Sequence, residues 1–222
     1  MTRFYYYYDL TYEDIVNAHN DVQILSHLGD RIERGIQKPG LLESIAKRPS
    51  QRYYNHEQFR GIYSKCASLI EAIIQWHPFT DGNKRTALVA AHMYMNKNSH
   101  YLVTPFDSPR FTVLVAQKKK SFDDIRNWVQ THTAKNHKEY TRKYNKYVKE
   151  PGRKILALYK SGNAAKIKRA NTITDRWLAI DIYPEYKMEY PQTVLFLGEL
   201  INKYSSSPNA APPPPPPPSS SE

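Results

Sequence analysis

The sequence has a single cysteine, Cys66, among its 222 residues. An intrachain disulfide and a thiolate metal cluster are thereby excluded, and the composition suits a reducing compartment. Cys66 shares a helical apolar pattern with Ile62, Leu69, Ile70 and Ile73, so it reads as a small buried hydrophobe rather than a nucleophile. Long apolar runs are also missing. The longest spans residues 87–91, far short of the ~20 residues a bilayer-crossing helix needs. The N-terminus lacks the apolar core and small-residue cleavage site of a secretory signal, which leads to the expectation of a cytoplasmic protein with no membrane partner. Its eight histidines show no His-Glu-x-x-His spacing, so no zinc site is expected. There is no internal repeat. What remains is 40% hydrophobic and 24% charged, as expected of a globular domain.

The pattern is mainly helical. Thr11, with Asp9 nearby, reads as a helix start, and Ile15, Val16, Ala18 and Val22 continue an amphipathic helix to about residue 28. Gly29, Gly35 and Pro39-Gly40 punctuate a loop, and a short helix follows over about 41–46. A long helix is expected from about 56 to 75, stopped by Pro78 because the residue before proline avoids helical geometry. A second long helix is expected to restart at residues 80–82 and run to about 97. Two more are expected over 108–118 and 121–132, the latter capped by Ser121 with Asp123 and Asp124 in its first turn. The tyrosines at 5–8 suggest an edge strand or a covering arm.

Chemistry concentrates at residues 77–85, His-Pro-Phe-Thr-Asp-Gly-Asn-Lys-Arg. A helix ends at His77, a tight turn follows, and a new helix opens on Gly82, Asn83, Lys84 and Arg85. The backbone N–H groups of a helix start form an anion site, and glycine allows close approach. The hard oxygens of Asp81 suit magnesium, although an aspartate there also suits a helix cap. His77 is placed to accept a proton from an attacking hydroxyl. Phe79 reads as a core anchor. Lys84 and Arg85 resist a purely structural reading, since two cations in a first helical turn oppose the macrodipole by roughly 0.3–1 kcal/mol each. A bound polyanion reverses that penalty. Base, metal ligand, phosphate cradle and cations within nine residues make a phosphoryl- or nucleotidyl-transfer constellation.

These nine residues resemble the signature of Fic/Doc (Fido) proteins, His-Pro-Phe-x-Asp/Glu-Gly-Asn-x-Arg. Residues 15–19, 40–44 with Pro49, and 86–88 look like the death-on-curing (Doc) branch, and the resemblance spans roughly 9–132. It implies a compact helical bundle with a short β-hairpin flap, somewhere in 47–55. It further implies His77 as general base, Asp81 as magnesium ligand, Gly82 and Asn83 as the phosphate nest, and Arg85 as phosphate neutraliser, with ATP and Mg²⁺ consumed on a protein hydroxyl. AMP-transferring members usually have glycine where this chain has Lys84, and a second arginine where it has Leu88. Members with lysine at this place resemble a reversed arrangement that transfers the γ-phosphate. Phosphorylation is therefore the leading expectation, with AMPylation as the alternative. Many Fic proteins carry an inhibitory Ser/Thr-x-x-x-Glu segment. No glutamate here has serine or threonine four residues before it. Restraint by a separate antitoxin, in a toxin–antitoxin pair, is what the resemblance then implies.

The net charge is +11, of which residues 137–170 alone carry +9, from eleven basic and two acidic side chains. Residues 140–147 interleave tyrosines with cations, which admits three readings: a solvated face, a dock for an acidic protein, or a grip on single-stranded nucleic acid by stacking. The last two make a nucleic-acid- or protein-binding module with a silent Fido domain a third hypothesis. Pro151-Gly152 is expected to break the helical pattern. The organisation expected is thus a Fido domain over 1–136, a basic helical extension over 137–206, and a disordered Pro/Ser-rich tail over 207–222, with seven consecutive prolines at 212–218.

Overall fold

A computed structural model describes residues 7–25, 35–105, 107–166 and 168–170. All of them fall in the first of the two units into which the chain divides, residues 1–184. The architecture is mainly α, as expected. Helix α1 (Tyr12–Leu25) opens on Thr11 and Asp14, which cap reciprocally. The Thr11 N–H donates to Asp14 Oδ2 at 2.8 Å and the Asp14 N–H to Thr11 Oγ1 at 3.1 Å. Residues 26–34, where the sequence pattern put the end of this helix, lie outside the described residues.

After α2 (Pro39–Lys47) a short 3₁₀ turn leads into a hairpin, β1 (Arg52–Tyr53) with β2 (His56–Glu57). Tyr54 and Asn55 form its two-residue turn with φ of 45° and 62°, the left-handed pair that matches strand twist. The expected flap therefore exists but extends to Glu57. The expectation of helix from residue 56 is corrected: helix α3 (Gly61–Trp76) begins five residues later, because His56 and Glu57 bond across the hairpin to Tyr53 and Arg52.

Helices α3 and α4 (Asn83–Lys97) pack against each other, with α1 on α4 and α6 (Phe122–His132) on α3. The shared core is made of Ile15, Val22, Leu69, Ile70, Ile73 and Leu88, all 0% exposed. Each contributes about 1.5–3 kcal/mol of burial. Cys66 is equally buried, and burial pushes its thiol up, as befits a packing residue. The 3₁₀ turn and the hairpin are tied to α3 by two cations, Arg48 from the turn and Lys65 from α3. Arg48 Nη2 donates to Glu71 at 2.9 Å while its guanidinium lies 5.1 Å from the Phe59 ring centroid and 4.9 Å from that of Trp76. The buried Lys65 donates from Nζ to Pro49 O at 2.8 Å and to Glu57 at 3.3 Å.

Strands β3 (Tyr101–Leu102) and β4 (Thr133–Ala134) pair antiparallel, with α5 (Ser108–Ala116) and α6 between them in sequence. Ser121 caps α6 in a full capping box with Asp124, as expected. Tyr8 is extended, and its backbone N–H and C=O bond to the Asn98 side chain, so this part of the tyrosine run behaves as an arm. Residues 1–6 lie outside the described residues.

The expected break at Pro151-Gly152 does not occur. Helix α7 (His137–Tyr144) continues through a π turn (Asn145–Lys149) into α8 (Glu150–Lys160). The π turn widens the ladder just before Pro151, where an ordinary α turn meets a missing N–H and a ring clash. The more apolar stretch at 171–204 and the proline run lie outside the described residues. Among the described residues, no helix is long and apolar enough to cross a membrane.

Candidate active site

Helix α3 ends where His77 turns left-handed, with φ 49° and ψ 64°. That conformation leaves the imidazole exposed at the mouth of the turn. The chain then runs as a strand-like segment across residues 35–38. Ile36 and Phe79 form an antiparallel bridge. The Gln37 N–H donates to Pro78 O at 2.8 Å, and the Thr80 N–H to Gly35 O at 3.1 Å. Gly35 is required here: its φ is +153°, and a Cβ would stand 2.9 Å from Thr80 Oγ1.

Phe79 is 1% exposed and anchors the turn in the core. Asn83, the first residue of α4, clamps it. Its Oδ1 accepts from the Phe79 N–H at 3.0 Å and its Nδ2 donates to Phe79 O at 2.8 Å. Both ends of this buried amide are spent on the backbone of the turn. Asn83 thus acts by holding the loop shape.

Gly82 is the N-cap of α4, with φ 75° and ψ 1°, and no side chain caps the helix. Asp81 is therefore not the helix cap that an aspartate at this place also suits. Its exposed carboxylate accepts only the neighbouring Gly82 N–H, at 2.6 Å, among the described contacts. The first helical bond runs from the Thr86 N–H to Gly82 O at 2.9 Å. The first turn holds no acidic residue, while Lys84 is exposed and Arg85 half-buried on it. Leu88 is fully buried in the core, so no cation is presented from that position.

One participant escaped sequence reading. His19 of α1 stacks on Phe79, with centroids 3.8 Å apart and planes at 10°. Its Nδ1 lies 3.0 Å from Thr86 Oγ1. Burial holds its pKa down to about 4, against the opposing pull of the Asp81 charge. His19 is thus neutral, supporting the turn from below rather than facing a substrate. The available signal was a polar residue four places after Ile15 on the buried stripe of α1.

The structure brings His77, Asp81, Gly82, Asn83, Lys84 and Arg85 to one turn. An uncapped helix start, an exposed carboxylate beside it and cations on its first turn fit a magnesium-bound polyphosphate. A separate cleft of about 530 Å³ lies between the start of α1 and α2, lined by Asp9, Thr11, Glu13, Glu43 and Lys47, and it includes none of these residues.

Comparison with known proteins bears on the same segment. Residues 9–95 match the model of the Fic/DOC family. This segment is similar to the Fic/DOC family. It covers α1 to most of α4, hence the whole turn. Over 78 residues the chain is 32% identical to "Toxin Doc" of Mycolicibacterium smegmatis, covering 35% of this chain and 60% of that one. Over 80 residues it is 34% identical to "Protein kinase doc" of Escherichia phage P1, covering 36% of this chain and 60% of that one. The chain thus spans 60% of the length of these curated relatives. No solved structure matches it.

Proposed function

We propose that this Fic/DOC-like segment phosphorylates a protein hydroxyl from ATP. The observation that carries the reading is the α4 start, which no side chain caps and which bears Lys84 and Arg85 one turn from the exposed His77. His77 accepts the hydroxyl proton. The freed oxygen attacks the γ-phosphorus, the bond to the bridging oxygen breaks, and ADP leaves. The N–H groups of the α4 start, together with Lys84 and Arg85, orient the phosphates and stabilise charge as it moves. Asp81 is the residue to hold Mg²⁺, which supplies charge neutralisation on the phosphates. Gly82 allows close approach, and Asn83 keeps the turn in shape. Lys84 favours γ- over α-phosphate transfer, because a long cation on this turn obstructs the placement that presents the α-phosphate.

One relative is named a toxin and the other a protein kinase. We extend this to a toxin acting in the cytoplasm and restrained by a separate antitoxin protein. Catalysis is assigned to residues 1–136, with 137–206 as an extension.

The test uses ATP labelled separately at the α- and γ-phosphate, with magnesium and cell lysate. Wild type is expected to place γ-label on a protein. His77→Ala is expected to lose it by about 10²–10⁴-fold, the scale of general-base catalysis. His77→Asn serves as a second variant, since asparagine tolerates the left-handed turn. Transfer of α-label would instead establish AMPylation. Transfer of neither, with other nucleotides tried, would leave a silent Fido domain and a binding role.

A further inference from the structure

The continuous helix formed by α7, the π turn and α8 is two-faced. Tyr144, Val148 and Ile155 are buried on one side. Lys138, Arg142, Lys146, Lys149, Arg153 and Lys160 are all exposed. They recur at spacings of four, four, three, four and seven along roughly 33 Å of helix, with the π turn at 145–149 rotating the later members relative to the earlier ones. Counter-charge is sparse. The acidic residues of this helix are Glu139, which pairs with Lys143 at 3.3 Å and Arg142 at 3.9 Å, and the exposed Glu150.

Tyr144 is buried and Tyr140 and Tyr147 are half-buried, with Lys146 Nζ 5.0 Å from the Tyr147 ring centroid. Tyr140 and Tyr144 stack on each other with centroids 6.1 Å apart, Tyr140 meets Tyr101 at 6.2 Å, and Tyr147 meets His132 at 4.6 Å. This removes the base-stacking platform that single-strand recognition needs. It also removes the aromatic anchors that protein interfaces use. The exposed large hydrophobics among the described residues are Tyr8, Ile36, Tyr53, Tyr54 and Val113, none of them on this helix. A row of exposed cations with no exposed large hydrophobic beside it among the described residues suits a row of anions.

We propose that the α7–α8 row of cations binds double-stranded nucleic acid through its phosphate backbone, independently of sequence. This lies beyond the phosphotransfer reading and does not depend on it. A duplex offers phosphates at fixed intervals on a rigid rod, and backbone contacts of this kind position without reading bases.

The test is fluorescence anisotropy on the full chain, with a labelled 24-base-pair mixed-sequence DNA duplex and an RNA duplex of the same sequence. Polyglutamate serves as the protein-like polyanion. Binding of either duplex is expected, largely indifferent to its sequence. If four to six phosphates are engaged, affinity is expected to fall roughly 10²–10³-fold between 50 and 200 mM salt. Reversing Lys138, Arg142 and Lys146 to Glu together is expected to weaken binding at least tenfold. The milder set Lys149→Gln, Arg153→Gln and Lys160→Gln should weaken it in the same direction. Reversal of Lys118, Lys119 and Lys120, an equal change in charge off the row, should cost much less. The proposal is overturned if neither duplex binds, if the off-row variant loses as much as the row variant, or if polyglutamate competes as well as duplex. Duplex binding is expected to persist in His77→Ala, which separates this surface from the catalytic reading.

Discussion

Two helix starts in this protein solve the same problem in opposite ways. At α6, Ser121 and Asp124 bond reciprocally to the backbone, and Asp123 adds a second negative charge to the positive end of the dipole. At α4 a glycine holds the N-cap, no side chain caps it, and the first turn carries Lys84 and Arg85 with no acidic residue. Capping and charge complementarity are each worth about 1 kcal/mol or less, so their joint reversal at one site is a modest local sacrifice of stability. The first helix is satisfied from within. The second is left without a side-chain cap, and it is the one beside the exposed histidine.

The comparison can be broken or sharpened by substitution. The largest effect expected is the loss of phosphate transfer in His77→Ala, with little change in melting. Next is Asn83→Ala, which leaves a buried N–H and C=O of Phe79 without their partners. A loss of about 2–4 kcal/mol is expected in urea unfolding, together with loss of activity as the turn relaxes.

A third test concerns pH. His19 in the folded chain titrates at about 4, against an ordinary value of 6.5. Between those values the unfolded chain takes up a proton that the folded chain refuses. The His19 contribution should therefore be full above about 6.5 and fall as pH drops toward 4, by on the order of 2 kcal/mol between pH 7 and pH 5, with the buried His92, also held down to about 4, adding to the slope. His19→Gln should lose less over the same interval in parallel unfolding titrations. An identical slope in the variant would remove His19 as the cause.

Ser121→Ala should cost about 1 kcal/mol in melting and leave label transfer intact. Lys84→Glu should do the reverse, gaining ~0.3–1 kcal/mol while abolishing transfer. If Lys84→Glu melted lower, the α4 start would not be the electrostatically strained site described above.

Much of this was legible beforehand. The Thr11 and Ser121 caps, the stop near Pro78 and the restart at Gly82 follow from local rules, because each bond involved spans only a few residues. The clustering of residues 77–85 was equally legible, since one tight turn suffices to gather them. Less legible was anything set by distant partners. The start of α3 moved from 56 to 61 because the hairpin claimed the preceding residues. Pro151 failed to end a helix because a π turn absorbed it. His19 gained its place only when α1 laid it flat on Phe79, sixty residues away in sequence. The tyrosines at 140–147 looked like a stacking surface, yet Tyr140 meets Tyr101 and Tyr147 meets His132.

By itself, then, the sequence determined the helical class, the caps, the position of the 77–85 turn and the basic excess after residue 136. These rest on backbone propensity, short-range bonds and composition, which need no knowledge of the rest of the chain. Only tertiary structure decided which groups remain exposed once the chain closes. It turned the Asn83 amide onto the backbone, left His77 and Lys84 at the surface, held His19 neutral by burial, and buried Tyr144 and Val148 while leaving Lys146 and Lys149 exposed. Burial and pairing are properties of contacts between distant segments, and no local pattern carries them.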